Sequence, residues 1–414
     1  MLRGSLVILV LISISLGYLN AFAEITEPKI NVLALSKVSA VQKLSNWFSV
    51  EPSIEHRIVP TRVYGDDTRE DIERYMRIYF PRSEDDLLAY NFYYLAQTDM
   101  TFLNPAQELW IYGALTDHQK GGVNTRSVMS THSWFNIPWA ESMVSEAFPN
   151  DADAVIANEA DQEGAPGPLI IRDDEKLPAI ISPYKDPLEG TFRNLGGLNT
   201  IPKQGSVILS YTKNGAGLGY PIPGQIAHIF YWRWNKSITF TFRDQPMHFF
   251  WNSLGSSTSN HFALDITVNV IWFSTGRKLP DDPLKVHQFR RDSFEFNIEK
   301  SLLISLLDFA EAFGANPAKL YQQLDEIQLA RQETAELYLE RQFDDAYESM
   351  KSLKGELKIL EKKASKLKGS ALTWVYIVEW LSITATSLLA GFIIWTLMIK
   401  RTLYREVRST RTAL

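Results

Sequence analysis

The most constraining feature of the sequence is an uncharged apolar run from Leu381 to Ile399, which ends at Lys400-Arg401. A helix rises about 1.5 Å per residue, so a run of this length crosses a hydrocarbon core of roughly 30 Å. Trp374 and Trp380 precede the run, as is typical of indole rings that prefer the headgroup layer of a bilayer. The run predicts a transmembrane helix near the C-terminus.

The N-terminus has the pattern of a secretory signal peptide. Arg3 is followed by an apolar stretch from Leu6 to Leu19 and then by the small-x-small site Ala21-Phe22-Ala23. We predict cleavage after this site and export of the chain that follows it. The tail from Lys400 to Leu414 carries five basic residues and one acidic residue, so the positive-inside rule favours a cytoplasmic tail. Both features predict a single-pass protein of the cell membrane.

The composition excludes several classes of function. The chain of 414 residues has a formal net charge of −6, which argues against nucleic acid as a partner because phosphate-binding domains are basic. It has no cysteine, which excludes disulfides, thiolate metal sites and cysteine nucleophiles. Membrane lipid is the partner expected from composition.

The chain from Ile30 onward alternates short apolar strands with helices. Strands are predicted at Ile30–Leu35, from His56, at Leu88–Leu95 and at Ser127–Ser130. Helices are predicted at Ser39–Phe48, at Thr68–Tyr79, and between Asn104-Pro105 and a closing Gly121-Gly122. This alternation predicts an α/β fold with a flavodoxin-like, doubly wound and mostly parallel sheet.

The second half of the exported region is predicted to be rich in β-structure. An exposed loop is predicted between Asn150 and Gly167, and a strand at Ser206–Ser210. His228–Trp234 is predicted to pair with Ser237–Arg243 across Asn235-Lys236, because both segments are rich in aromatic and β-branched residues. Phe262–Phe273 is predicted as an amphipathic element that covers the sheet.

The last exported segment is predicted to be a helical hairpin that forms a stalk. One helix begins at Asn316-Pro317 and ends near Leu339, and a second begins near Asp344 and continues without a break into the membrane span. Apolar residues recur along the second helix with heptad spacing: Phe343, Ala346, Met350, Leu353, Leu357, Leu360, Ala364, Leu367 and Ala371. The predicted divisions are signal peptide 1–23, α/β domain 24–290, hairpin stalk 297–370, transmembrane helix 371–399 and tail 400–414.

Several short motifs have ordinary structural interpretations. The glycines from Gly215 to Gly219 are followed by prolines where a phosphate-binding helix would begin, so a turn is favoured over a nucleotide site. No histidine has a partner at i+4, so the sequence predicts no helix-borne metal site and no cofactor. Asn235-Lys236-Ser237 is a glycosylation sequon, and its place at a predicted hairpin tip makes Asn235 a candidate acceptor. The lysines on the stalk helix could face either solvent or anionic headgroups.

The sequence offers one candidate catalytic pair, a serine nucleophile with a histidine base. Ser130 or Ser133, at the end of a predicted strand, could act as a nucleophile with His248 as its base. The G-x-S-x-G elbow that usually exposes such a serine is absent. The default interpretation is that the chain has no catalytic residue.

The α/β half resembles the class I glutamine amidotransferase-like domains of membrane-anchored prokaryotic proteins. The resemblance is carried by the strands Ile30–Leu35, Leu88–Leu95 and Ser127–Ser130 and by the helix after Asn104-Pro105. In active members a cysteine follows the last of these strands, where this chain has Ser130-Thr131-His132-Ser133. The resemblance therefore implies the fold and a domain without glutaminase activity. The C-terminal region from Phe313 is similar to the stalk and anchor modules of archaeal surface proteins.

Three functions remain open at this point. The first is a membrane-anchored extracytoplasmic protein whose amidotransferase-like domain binds a ligand or partner without chemistry. The second is a membrane-tethered serine hydrolase. The third is an auxiliary subunit of a transporter or surface complex, with a protein partner in the membrane or at the cell surface.

Overall fold

The computed structural model of the protein describes residues 27–63, 67–125, 139, 141–150, 167–189, 193–194, 202–213, 225–243 and 260–411. The predicted signal peptide lies outside the described residues. The chain forms two compact units: the first contains residues up to Arg290 together with Ala335–Tyr347, and the second contains Arg291–Thr334 and the chain from Glu348 onward.

The first unit is built on a nine-stranded mixed sheet with the order β2-β1-β3-β4-β9-β8-β7-β5-β6. The strands are β1 (Ile30–Lys37), β2 (Ile54–Arg62), β3 (Phe92–Ala96), β4 (Gly121–Thr125), β5 (Gly167–Ile171), β6 (Arg193–Asn194), β7 (Val207–Lys213), β8 (Gln225–Trp234) and β9 (Ser237–Phe242). The strands from β2 to β9 in this order are parallel, and the rest are antiparallel. The parallel half follows the flavodoxin-like order, which confirms the predicted fold class.

Helices connect the strands and continue through the second half of the chain. They are α1 (Val38–Phe48), α2 (Arg69–Tyr79), α3 (Glu84–Leu88), α4 (Pro105–Thr116), α5 (Lys185–Leu188), α6 (Ala263–Ser274), α7 (Pro283–Ala312), α8 (Ala318–Leu339) and α9 (Phe343–Arg411), with 3₁₀ turns at Met100–Phe102, Met143–Ala147 and Ser182–Tyr184. Thr68 and Asn104 cap α2 and α4 with reciprocal side-chain bonds to the third helical residue. These capping boxes explain why both helices begin where the sequence predicts.

The boundaries around β3 and β4 differ from the sequence-based expectation. The predicted strand Leu88–Leu95 is instead the end of α3 followed by β3. Gly121-Gly122 does not close a helix but begins β4. The pair is needed for packing: a Cβ at Gly121 would lie 2.6 Å from Ser274 Cβ and 2.8 Å from the Phe92 ring. The predicted strand Ser127–Ser130 lies outside the described residues.

The hairpin predicted across Asn235-Lys236 is present as β8 and β9. Asn235 has a left-handed φ of 50°, a conformation that asparagine tolerates better than most residues. The segment Phe262–Phe273 packs on the sheet as predicted, but it is not amphipathic. Every residue of α6 except Phe273 is buried, because the helix packs on the sheet and is itself covered by other parts of the first unit.

Arg290 of α7 lies at the centre of a buried charged cluster in the first unit. Its Nε donates to Glu51 Oε2 at 2.6 Å and its Nη1 to Asp265 Oδ1 at 2.8 Å, and all three side chains are at most 1% exposed. Tyr338 Oη donates to the same Glu51 oxygen at 3.0 Å, and the guanidinium lies 5.3 Å from the Trp272 ring centroid. Burial alone would lower the pKa of Arg290, but the phenols and carboxylates around it raise the pKa well above its ordinary value. The guanidinium therefore stays charged inside the domain.

We expect Arg290→Ala to lower the free energy of unfolding by about 3–5 kcal/mol, because it leaves two buried carboxylates without their partner. The matched control is Arg291→Ala. Arg291 pairs with Glu295 at a surface where the two side chains are 61% and 37% exposed, so its loss should cost only about 0–1 kcal/mol. Urea unfolding of the purified variants, followed by tryptophan fluorescence, makes the comparison. Equal losses would show that the cluster contributes no more than a surface ion pair.

The second unit is helical. It contains the parts of α7, α8 and α9 that lie outside the first unit. The pair of helices predicted after Asn316-Pro317 is present as α8 and α9, and α9 is continuous through the apolar run. The preceding helix, α7, has no counterpart in the sequence-based expectation. It explains Arg331, which interrupts the apolar seam of α8 and whose guanidinium lies 5.2 Å from the Phe296 ring of α7.

The heptad residues of α9 are buried in the second unit within a single chain, at Met350, Leu353, Leu357, Leu360, Ala364 and Ala371. Burial ends where the apolar run begins. Of the described helices, α9 alone is long and apolar enough to cross a membrane, and no residue of its most apolar window is buried. The run is therefore long enough to cross a hydrocarbon core.

Candidate functional site

The candidate site is the edge of the sheet at the carboxyl ends of β1–β4 and β9, which we call the carboxyl edge. In flavodoxin-like sheets the chain direction reverses between β1 and β3, and ligands bind in the crevice beyond the strand ends at this point. The register aligns Ser36, Ala96, Thr125 and Phe242 across the four neighbouring strands. Residues one position further along each strand therefore meet at the carboxyl edge.

The segment that follows β3 is hydrogen-bonded to three other strands of the sheet, β4, β1 and β2. Gln97 N donates to the carbonyl of Thr125 at 3.1 Å. Thr98 Oγ1 donates to the carbonyl of Leu35 at 2.9 Å, and Asp99 N donates to the carbonyl of Thr61 at 3.3 Å. These bonds hold the segment rigidly across the ends of β1, β2 and β4.

Gln97 adopts a conformation that is costly for its residue type. Its φ is 58°, in the left-handed region that glycine tolerates and other L-residues seldom occupy. The side chain is 5% exposed, and its Oε1 has no hydrogen-bond partner among the described residues. A strained backbone beside an unsatisfied buried amide is characteristic of functional positions in loops.

Further polar atoms at the carboxyl edge are buried without partners in the described part of the chain. They are Thr61 Oγ1, Asn124 Oδ1 and Asn150 Nδ2. The other polar atom of each asparagine side chain is hydrogen-bonded, because Asn124 Nδ2 donates to Asn150 Oδ1 at 3.4 Å. A buried polar atom without a partner costs about 1–3 kcal/mol. Such a cluster indicates that the edge is built for hydrogen bonds from outside the described residues.

Basic residues lie at the same edge. Lys37 and Arg62 occupy the same register position on β1 and β2, and Arg243 follows the last residue of β9. Arg62 is largely buried, which lowers its pKa, while the nearby carboxylate of Asp99 raises the pKa in part. Three basic side chains and one acidic side chain in this row favour a ligand that carries negative charge.

The structure does not test the sequence-predicted site residues. Ser130, Ser133 and His248 lie outside the described residues. Asn235 is exposed at the tip of the β8–β9 hairpin, so its glycosylation remains a prediction. Within the described residues no group of histidine, aspartate and glutamate side chains is placed to hold a metal ion.

A serine–histidine contact that the sequence analysis did not predict lies on β7 and β8. Ser210 Oγ and His228 Nδ1 are 3.1 Å apart, and both residues are fully buried. A nucleophile must be reached by its substrate, so this contact serves the packing of the sheet. A prediction that β7 pairs with β8 in antiparallel orientation would have placed Ser210 close to His228.

A cleft of about 410 Å³ lies at the opposite end of the sheet from the carboxyl edge. Its lining includes Asn31, Arg57, Arg82, Asp86 and Tyr90. Burial raises the pKa of Tyr90, and Arg57 offsets part of this change. The cleft lies at the amino ends of β1 and β2, away from the strand ends where doubly wound folds bind ligands.

No protein-family model matches the chain, and no curated protein matches it. Cytoplasmic protein STM3548 from Salmonella typhimurium has a TM-score of 0.43 and 12% identity over 59% of this chain and 98% of that chain. Cytoplasmic protein STM1381 from the same species has a TM-score of 0.41 and 13% identity over 59% and 99% of the two chains. A putative ThuA-like protein from Parabacteroides merdae has a TM-score of 0.35 and 12% identity over 61% and 94%. Likeness at this level assigns neither a family nor an activity, so the amidotransferase-like character stays a prediction.

The unpaired hydroxyl of Thr61 gives a test of the carboxyl edge. Thr61→Val removes a buried hydroxyl that has no partner among the described residues, so stability should be unchanged or raised by up to about 1 kcal/mol. Thr98→Val is the matched control, because it removes the bond to the Leu35 carbonyl and should cost about 1 kcal/mol. Urea unfolding of the ligand-free protein measures both changes. A loss for Thr61→Val as large as that of the control would contradict an unsatisfied edge.

Proposed function

We propose that this chain is a membrane-anchored protein with an extracytoplasmic, amidotransferase-like α/β domain. The domain binds a small anionic ligand at the carboxyl edge and does not act on it covalently. The chain enters the export pathway by its signal peptide and is held by α9, with its basic tail in the cytoplasm.

The observation that carries the binding proposal is the set of buried polar atoms at the carboxyl edge that have no partner among the described residues. Natural domains satisfy nearly all buried polar groups, so a local cluster of exceptions needs a reason. A bound ligand supplies the missing partners at the place where this sheet topology opens a crevice. The nearby basic side chains of Lys37, Arg62 and Arg243 favour a phosphate or carboxylate group.

The sequence supports the proposal of binding without covalent chemistry. The chain has no cysteine, so the thiolate nucleophile of active class I amidotransferases has no equivalent here. The serine hydrolase alternative would require Ser130 or Ser133 with His248, and it lacks the nucleophile elbow. Binding without catalysis therefore needs fewer assumptions.

The exposed surface of α9 supports membrane anchoring. Leu381, Leu388 and Phe392 are each more than 60% exposed, and the run that contains them has no charged residue. Exposing this surface to water would cost about 25 cal/mol for each Å² of apolar area. A bilayer removes that cost.

Protease treatment of intact cells tests the topology. Protease should remove the α/β domain and leave a small membrane-bound fragment that contains α9 and the tail. An epitope tag after Leu414 should become accessible only when the cells are permeabilised. Protection of the α/β domain in intact cells would reverse the proposed orientation.

A thermal shift with inorganic phosphate as the probe tests the binding site. Phosphate at ten times its dissociation constant should stabilise the folded protein by about 1.4 kcal/mol, and Arg62→Gln should reduce this gain. The control is Arg233→Gln, which removes an exposed arginine on β8. General salt effects on stability act equally on all three proteins. An equal phosphate shift in wild type and Arg62→Gln would contradict anion binding at the carboxyl edge.

A further inference from the structure

The turn between α7 and α8 takes no part in the carboxyl edge and has an unusual composition for a loop. It consists of Phe313-Gly314-Ala315-Asn316-Pro317, which we call the bundle cap, and it contains no charged residue. Gly314 ends α7 with a φ of 83°, and Asn316 Oδ1 accepts from Ala318 N at 3.1 Å to begin α8. The Phe313 ring lies 4.6 Å from the ring of Phe309. The bundle cap is thus an ordered, apolar end of the helical unit.

Contacts between α7 and α9 fix the level of the bundle cap along α9. Contacts between the two helices include Glu295 with Lys354 at 2.6 Å, Glu299 with Lys358 at 3.9 Å, and the Phe309 ring with Lys368 Nζ at 4.7 Å. The partners of these three contacts are separated by 59 positions in the sequence, and Asp292, one helical turn from Glu295, pairs with the same Lys354 at a separation of 62. The two helices therefore run parallel and advance together.

This alignment places the bundle cap beside the start of the apolar segment. The separation of 59 positions sets Phe313 level with Leu372, two residues before Trp374, or about 3 Å along the helix axis. Ala371 is the last buried residue of α9, and Trp374 is 63% exposed. Helix α8 runs back from the cap, because Gln323 contacts Lys363 while Thr334 contacts Ser349. The cap thus lies at the level where tryptophan marks a membrane interface.

The charges on the unit change along α9. Lys354 is neutralised by Asp292 and Glu295, both at 2.6 Å. Closer to the cap, Lys319 and Lys366 are exposed and have no ion pair with any described residue. Exposed acidic charge at this level comes from Asp308 and Glu311. Basic side chains therefore outnumber acidic ones around the cap.

We propose that the bundle cap and the lysines around it, Lys319, Lys366 and Lys368, contact the headgroup layer of a membrane that contains anionic lipid. The inference rests on the proposed membrane span of α9. Phenylalanine and uncharged backbone suit the boundary between headgroups and acyl chains, and lysine side chains are attracted to an anionic membrane surface. The helical unit then rests on the bilayer instead of being held away from it by a free stalk.

Fluorescence quenching in the full-length protein tests this contact. The chain has no cysteine, so one introduced cysteine carries one polarity-sensitive label. The label is placed at Ala312, an exposed residue beside the cap, in protein reconstituted into phosphatidylcholine vesicles with roughly one third phosphatidylglycerol. The matched control label is at Gln332, also exposed on α8 and about 20 Å along the helix from the cap. A third label at Leu388 tests the membrane span.

We expect nitroxide lipids labelled at the headgroup to quench the Ala312 label at least about twofold more than the Gln332 label. Lipids labelled in the acyl chain should quench the Leu388 label. If Leu388 is quenched while Ala312 is quenched no more than Gln332, the cap contact is wrong and the membrane span stands. If Leu388 is not quenched, the proposed anchoring itself is wrong.

Lysine variants test the part of the proposal that concerns anionic lipid. Replacing Lys319, Lys366 and Lys368 by glutamine should remove the extra quenching that phosphatidylglycerol gives over phosphatidylcholine alone. The control replaces Lys29, Lys236 and Lys351, which are exposed elsewhere and carry the same total charge. Equal loss in both triple variants would assign the effect to net charge and overturn the local contact.

Discussion

The first unit depends on one buried guanidinium that connects segments far apart in the sequence. Arg290 binds Glu51, which lies just before β2, and Asp265, which lies on the buried helix α6. Both carboxylates use their remaining oxygens as well: Glu51 Oε1 accepts from Ser53 at 2.6 Å, and Asp265 Oδ2 contacts His287 Nδ1 at 2.7 Å. Arg290 Nη2 is buried without a hydrogen-bond partner among the described residues, so the pairing of the three desolvated charges is incomplete. The ion pairs of its other nitrogens still join the residues just before β2, helix α6 and the start of α7.

Hydrogen bonds from its polar side chains help explain why α6 is buried although it is not wholly apolar. Trp272 Nε1 donates to Ser53 Oγ at 2.9 Å, and Asn269 Nδ2 donates to the carbonyl of Ile180 at 3.2 Å. An apolar run with internal polar residues gives an ambiguous periodicity, because no face is left polar. The sequence therefore predicted an amphipathic element on the sheet, where the structure has a helix that is buried on all sides.

Local signals predicted much of the fold, and non-local packing explains the rest. The capping residues Thr68 and Asn104, the Asn235 turn and the alternation of elements act over a few residues, so they can be read from the chain. Gly121 could not be interpreted in this way, since its small size is required by Ser274, which is remote in sequence. Helix α7 was missed because its apolar residues are distributed around the helix and give no clear stripe.

The carboxyl edge was beyond sequence reasoning for a related reason. Thr61, Gln97, Asn124 and Asn150 belong to different segments, and each alone is an ordinary polar residue at a strand or loop end. They become a candidate site only when the parallel register brings the strand ends together and leaves their polar atoms buried. The predicted serines were chosen by residue type, whereas the structural signal is unsatisfied burial.

The proposed membrane contact would give the lysines of α9 two roles along one continuous helix. Lys354 and Lys358 have acidic partners on α7, so their charge is used inside the protein. The lysines near Trp374 lack such partners among the described residues, although α7 continues beside them to the level of Leu372. If α9 enters lipid just beyond this level, as proposed, its packing against α7 and α8 continues up to the interface. Little of the apolar surface of α9 would then face water.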